Sequence, residues 1–258
     1  MHTDLHQQQH PPCQRNDAPT HLDPKRHPFE PAALLLHLLE REPQLGRVLG
    51  IAAQPGELAV PVDSLFALDP HGQPRLRQWV ALAQGVDDAP ALLRFIHDYL
   101  AIVVPGLLGM YLLYGVAFQP HRQHSLMAIN ADGQPGRLLL QGFAGIHIHH
   151  STLRWQGVAP PFPAPRSDPA ERVRDTFIHT TLMCHLGELV WLCARHWPVH
   201  EYALWRELAR HLDDCFEHLR ERVEPQRWRL ERQALLERDW PTQSPGICRQ
   251  HNPLKMRR

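Results

Sequence analysis

Four polar side chains stand close together in the middle of this chain: Gln119, His121, Gln123 and His124, with Gln141 following beyond a predicted hairpin. Among them His121 is the best candidate for a functional residue. A structural histidine that steadies the hairpin is the equal alternative. A second group follows at His147, His149 and His150. On a strand, alternation places His147 and His149 on one face, a spacing that a metal can use. Neutral imidazole suits zinc or iron, and His121 or His124 could complete such a set. The competing reading is a row of exposed strand histidines in a chain with 20 histidines, because no carboxylate or cysteine partner is fixed by the sequence. No Walker A loop, GxGxxG, GxSxG or HExxH pattern occurs, and His179 with Glu188 does not make a metalloprotease helix.

The five cysteines, Cys13, Cys184, Cys193, Cys215 and Cys248, are scattered and form no CxxC pair, so reduced thiols in a cytoplasmic protein are expected. Lys and Arg together number 27, as do Asp and Glu, which gives no electrostatic case for nucleic acid or an anionic membrane. No apolar leader is expected at the N-terminus. From Tyr99 to His121 there is no Lys, Arg, Asp or Glu, a length that passes a crude test for a membrane span. Pro105, Gly106 and Gly109 interrupt it, so a buried helix running into a buried strand is expected, and no span.

These groups need elements to position them. Residues 1–29 are rich in His, Gln and Pro and predict a disordered tail, because they offer too little apolar surface to offset ordering entropy. Its histidines could bind a metal only weakly. Leu34, Leu35, Leu38 and Leu39 predict a helix over 30–42, and a short helix is expected around 76–83. Asp87 or Asp88 can cap a further helix with Leu92, Ile96, Leu100 and Val103 on one face. Pro105 should break or kink it, with 106–113 as a second piece. Strands are expected at 47–53, 57–61, 115–118, 125–130, 137–140 and 146–150, with Asp132-Gly133 turning a hairpin. A proline-rich linker at 158–169 leads to a helical lobe over 170–258. There Asp168, Pro169 and Glu171 read as N-cap, N1 and N3 of a helix to about residue 196. Leu204, Leu208, Leu212, Cys215, Leu219 and Val223 mark another helix, ending before Pro225. The fold class is therefore α+β: a small antiparallel sheet within 30–157 and a mainly helical C-terminal lobe.

The segment 114–126, YGVAFQPHRQHSL, followed by 132–145, DGQPGRLLLQGFAG, resembles the central signature of the IucA/IucC (NRPS-independent) siderophore synthetases, roughly HGIALEAHQQNTL and DGRPxRLxLRDFGG. The flanks agree: VPVDSLF at 60–66, YLAIVVPGLL at 99–108, HLGEL at 185–189 and NPL at 252–254 resemble that family's landmarks in order. The resemblance spans about 30–254, one continuous family domain equivalent to the synthetase's C-terminal half. It implies ATP- and Mg²⁺-dependent joining of an amine to a citrate-type carboxylate through an acyl-adenylate, chemistry that needs hard oxygen ligands and cationic clamps. Against the family pattern, Gln119 stands where a glutamate is expected, His124 replaces an asparagine, and Gln141-Gly142 replaces Arg-Asp. Only His121 and Gln123 are kept, and Gln233 takes the place of a late lysine. The family's N-terminal half supplies further nucleotide and citrate contacts. The resemblance therefore implies a degenerate or partial synthetase acting with another synthetase chain or an N-terminal-half partner on a siderophore precursor. One alternative is an iron-handling ferric-siderophore reductase, whose [2Fe–2S] centre needs four thiolates or substitutes. Another is a decayed, non-functional fragment.

Overall fold

The computed structural model describes residues 31–143, 145–160, 167–241 and 249–255. The expected tail at 1–29 and most of the linker lie outside them. Helix α1 (Pro31–Arg41) buries Leu34, Leu35 and Leu38. Helix α2 (Pro43–Val48) runs into strand β1 (Leu49–Gly50), so the strand expected over 47–53 shrinks to two residues. Strand β2 (Leu58–Pro61) leads into a 3₁₀ turn, Val62–Phe66, and α3 spans Leu76–Gln84.

Helix α4 (Ala89–Tyr114) is the centre of the molecule. Asp88 caps it, its carboxylate accepting from the Ala91 amide at 2.8 Å. Sequence reasoning puts a break or kink at Pro105, yet the helix continues past it for nine residues. Packing overrides the local penalty: nearly every residue from Tyr99 to Tyr114 is buried, and α2 and β1 press on the stretch just after the proline. A β-carbon on Gly106 would stand 2.7 Å from Leu49 Cγ, and one on Gly109 2.8 Å from Leu45 Cδ2. The two glycines form a groove into which those leucines fit.

Beyond β3 (Val116–Ala117) come β4 (Ser125–Ile129), β5 (Pro135–Leu140) and β6 (His147–Ile148). The main sheet has the order β1-β5-β4-β2. Its β4–β5 hairpin pairs Leu126 with Leu139, and its turn is tied by Asn130, whose side-chain oxygen accepts from the amides of Asp132 and Gln134 at 3.0 and 2.9 Å. Strand β2 is antiparallel to β4, whereas β1 adds to β5 in parallel, Leu49 opposite Leu138. Strands β3 and β6 make a separate antiparallel pair, and α5 (His150–Trp155) starts directly after His149, which cuts the expected 146–150 strand short.

The second lobe opens with α6 (Ala170–Phe177). Asp168 does not cap it. Its carboxylate instead accepts from the Ile148 amide at 3.3 Å and meets His147 Nδ1 at 3.1 Å, because the β6 edge reaches it first. Residues Ile178–Gly187 form a π-helix before α7 (Glu188–His196), then follow α8 (Glu201–Leu219) and α9 (Pro225–Leu236). A short pair, β7 (Trp240–Pro241) with β8 (Arg249–Gln250), closes the fold. One apolar cluster runs from Leu34 to Leu254 through both lobes. Two helical stretches, Ala89–Tyr114 and Ala170–His196, are long and apolar enough to cross a membrane by length and composition; 78% and 67% of their apolar windows are buried within the protein.

Candidate functional site

The polar residues of the central segment leave β3 at Phe118 and make a one-turn 3₁₀ helix, Arg122–His124, before entering β4. That turn is held from three sides. Arg122 Nε reaches Asp63 Oδ1 at 3.0 Å, its Nη1 reaches Glu188 Oε2 at 3.4 Å, and its guanidinium lies 4.8 Å above the Phe66 ring. Below it, the carbonyl of Pro120 accepts a short hydrogen bond from His185 Nδ1. Since a carbonyl can only accept, His185 carries its proton on Nδ1, and its Nε2 accepts from the Tyr99 hydroxyl at 2.7 Å. His185 is fully enclosed, and burial pulls its pKa down to about 4, so it is neutral.

His121 stands half-buried at the entrance of this turn, its pKa lowered by burial and then by the nearby His179 and His124. His179 is likewise held below its ordinary value by burial, and its Nε2 lies 3.6 Å from Cys184 Sγ. His179, Cys184 and His185 all lie on the π-helix, whose widened turns shift side chains off the register of an ordinary helix; such segments are frequent at functional sites. Burial also raises the pKa of Glu188, against the pull of Arg122. Gln123 and His124 are exposed, and the His121 and His124 rings are 6.4 Å apart. Gln119 is partly covered by the following loop: a β-carbon on Gly145 would fall 2.2 Å from its amide carbon. Gln141 is exposed just past β5, its amide donating to the His124 carbonyl at 2.8 Å. The Ser125 hydroxyl is buried without a protein hydrogen-bond partner among the described residues.

The structure thus brings Gln119, His121, Gln123, His124 and Gln141 into one region. His147 and His149 take separate partners: His147 meets Asp168, and His149 Nδ1 meets the Thr152 hydroxyl at 2.7 Å. Among the described residues neither belongs to a group of three side chains placed to hold a metal. Sequence reasoning missed the braces Asp63, Tyr99, Arg122 and His185 as site residues, although three of the landmark segments contain Asp63, Tyr99 and His185. It also set His179 aside, because nothing in the sequence marks a π-helix. The expectation of five reduced thiols is corrected at Cys184, which is in a disulfide bond. Scattered spacing does not say which thiols a fold brings together. Cys193 and Cys215 are free and buried, and burial pushes the Cys215 thiol up to about 12.

The arrangement offers imidazoles and amides beside the Arg122 guanidinium, which is already paired. Imidazole of this kind accepts from N–H and O–H groups but cannot neutralise a triphosphate. Mg²⁺ fits poorly: Gln119, Gln123 and Gln141 offer only neutral amide oxygens, His124 is a nitrogen ligand, and Gly142 has no side chain to offer.

Comparison with known proteins gives a consistent picture. The family model described as "Ferric iron reductase FhuF-like transporter" matches residues 93–258. A protein of Sinorhizobium fredii (strain NBRC 101917 / NGR234), described only as uncharacterized protein y4xN, is 31% identical over 239 residues, covering 86% of this chain and 38% of that protein. The structure of the aerobactin synthetase IucC from Klebsiella pneumoniae superposes with a TM-score of 0.67 at 19% identity, over 87% of this chain and 46% of that one. The ATP-bound aerobactin synthetase IucA of Klebsiella pneumoniae gives 0.64 at 16% identity, over 79% and 38%. The chain spans less than half the length of these relatives.

Proposed function

Because the chain belongs to the family of ferric iron reductase FhuF-like transporters and has the α+β fold of the C-terminal half of the siderophore synthetases, we propose that it acts in the cytoplasm in siderophore biosynthesis. In this reading it is a partner-dependent synthetase half. Its cleft takes the amine- or hydroxamate-bearing arm of a siderophore precursor, and a second chain supplies the groups that bind ATP, Mg²⁺ and the citrate-type acid. One observation supports this reading: the scaffold around His121 and Gln123 is braced by Arg122 and His185, while Gln119, His124 and Gly142 stand where the resemblance to the synthetases implies carboxylates and an amide. His121 can accept from the N–H of the precursor's free amine and take up its proton as that nitrogen attacks the acyl-adenylate held by the partner, with AMP leaving.

Isothermal titration of the full chain with an N-hydroxylated diamine, with citrate and with ATP plus Mg²⁺ tests it. Binding of the amine, weakened in His121→Ala, with no Mg²⁺-dependent ATP heat, is the expected result. Mg²⁺-dependent ATP binding with AMP release by the chain alone would instead make it a self-sufficient ligase.

Family membership also favours a second reading, a ferric-siderophore reductase. The residues present do not fit its [2Fe–2S] centre. Of five cysteines, Cys193 and Cys215 are buried thiols and Cys184 is in a disulfide, so four accessible thiolates are not available. Iron and acid-labile sulfide absent from purified protein is the expected result for this reading's test.

A further inference from the structure

Helices α4 and α8 pack side by side through Ile96, Leu100, Leu204 and Leu208, which help to line a void of about 10 Å³. At the solvent edge of this contact three side chains converge. His97 Nδ1 lies 2.8 Å from Glu207 Oε1, His211 Nε2 lies 3.2 Å from the same oxygen, and the two imidazole nitrogens are 3.3 Å apart. Glu207 and His211 are four residues apart on α8, hence on one face, and His97 reaches across from α4.

We propose that His97, Glu207 and His211 form a binding site for a zinc-class divalent cation, with the fourth coordination position open to solvent. Tetrahedral zinc with bonds of about 2.0–2.2 Å sets its ligand atoms about 3.3 Å apart, and the three edges seen here lie close to that triangle. Two imidazoles and one carboxylate are a donor set that zinc prefers over Mg²⁺ or Ca²⁺. A further observation points the same way. Arg210 Nη2 sits 2.6 Å from Glu207 Oε1 and 3.2 Å from both ring nitrogens, so the three acceptors already point at one cationic group. Arg210 Nη2 takes the place of the metal; its Nε also donates to Glu207 Oε2 at 3.2 Å, and when the guanidinium leaves Glu207 it keeps Asp214, which its Nη1 holds at 2.9 Å. The charged and titratable groups at this spot are His97, Glu207, Arg210, His211 and Asp214. The site draws on none of the residues of the proposed precursor cleft.

The test uses the full chain, stripped with a chelator, and measures Zn²⁺ affinity by competition with a chromophoric chelator and Co²⁺ binding by visible absorption. One tight equivalent with the intense bands of tetrahedral Co²⁺ is expected. Glu207→Gln, His211→Gln and the more exposed His97→Gln should each weaken it by more than the roughly 10–100-fold that loss of an outer-shell partner costs. Arg210→Ala should tighten binding roughly fivefold, the equilibrium worth of one exposed ion pair, by removing the competing cation. A metal stoichiometry and affinity unchanged in His97→Gln and His211→Gln would assign the binding to the tail histidines and overturn the proposal, as would Co²⁺ spectra of an octahedral aqua ion. The Arg210→Ala arm keeps the proposal falsifiable should the buried His211 variant fold poorly: weaker or unchanged binding there counts against it.

Discussion

The imidazole of His124 lies against the backbone of Gly142: a β-carbon at that glycine would stand 3.0 Å from His124 Nδ1 and 3.4 Å from its Cγ. Gly142 has φ +74°, a left-handed conformation that glycine adopts freely and most other residues resist. The two positions face each other across the end of the β4–β5 hairpin, where Gln141 donates to the His124 carbonyl. Positions 124 and 142 are therefore coupled: the imidazole occupies space that a side chain at 142 would need.

This coupling is measurable. Gly142→Asp by itself is expected to destabilise by about 1–3 kcal/mol, from the left-handed backbone and the crowded ring. His124→Asn should relieve part of that cost, giving a coupling of roughly 1 kcal/mol in a double-mutant cycle of urea unfolding. The triple variant Gln119→Glu, His124→Asn, Gly142→Asp introduces two carboxylates and is expected to gain Mg²⁺ binding by titration calorimetry. Additive single effects would separate the two positions.

The pH dependence of stability follows from His185. Its folded pKa is about 4, against 6.5 when exposed, because burial excludes the charged ring. The unfolded chain thus binds the extra proton between these values. Stability is complete above pH 6.5, falls as pH drops toward 4, and levels off below; the shift corresponds to roughly 3 kcal/mol. His121 and His179, both lowered by burial, act in the same direction. Urea midpoints from pH 7.5 to 4 check this. Tyr99→Phe, which leaves the buried Nε2 without its donor, should cost about 1–3 kcal/mol at pH 7.5.

How much of this was legible in the sequence depends on the range of the interactions involved. The 3.6-residue pattern of Leu34, Leu35 and Leu38 and the cap at Asp88 are local signals, and both elements form where they indicate. The Asn130–Gln134 turn is local as well. The break expected at Pro105 does not occur because Leu45 and Leu49, more than fifty residues away, fill the groove that Gly106 and Gly109 leave on the helix. Asp168 was misread as a cap for the same reason, since β6 competes for its carboxylate. At the site, the ordered landmarks placed the right segments together, while the braces through Arg122 and His185 arise only from tertiary contact. The π-helix under His179 and Cys184 has no pattern that distinguishes it from an α-helix.

A buried ionic group behind the cleft supports the α4–α9 contact. Glu231 accepts from Arg174 at 2.7 and 2.9 Å, from Arg227 at 3.5 Å and from the Tyr111 hydroxyl, and Arg227 also donates to the Tyr111 carbonyl at 2.7 Å. Only 2% of Glu231 is exposed, so those partners take the place of water around its carboxylate. Glu231→Gln leaves two guanidinium groups without their counter-charge. A loss of about 3–5 kcal/mol in chemical denaturation is expected. A loss below about 1 kcal/mol would mean that water reaches the group.

The groove on α4 yields a prediction whose sign depends on the background. Gly106→Ala favours the helix by about 1 kcal/mol through backbone entropy. Its new methyl, however, would stand 2.7 Å from Leu49 Cγ and 2.8 Å from Cδ2, and Leu49 is fully buried on β1 against Leu138 of β5. Overpacking of this kind costs about 1–3 kcal/mol, so the substitution should destabilise the native protein by a net amount near 1 kcal/mol. In a Leu49→Ala background the obstruction is gone, and the same Gly106→Ala should become stabilising. Thermal melts of the four proteins read the reversal directly. Because β1 is bonded to β5 and β5 runs into Gln141, the crowded single variant should also loosen the end of the hairpin, seen as faster amide exchange at Gln141. If Gly106→Ala is stabilising in both backgrounds, α4 and β1 are not packed as closely as the groove requires, and Pro105 is left without the support that keeps its helix continuous.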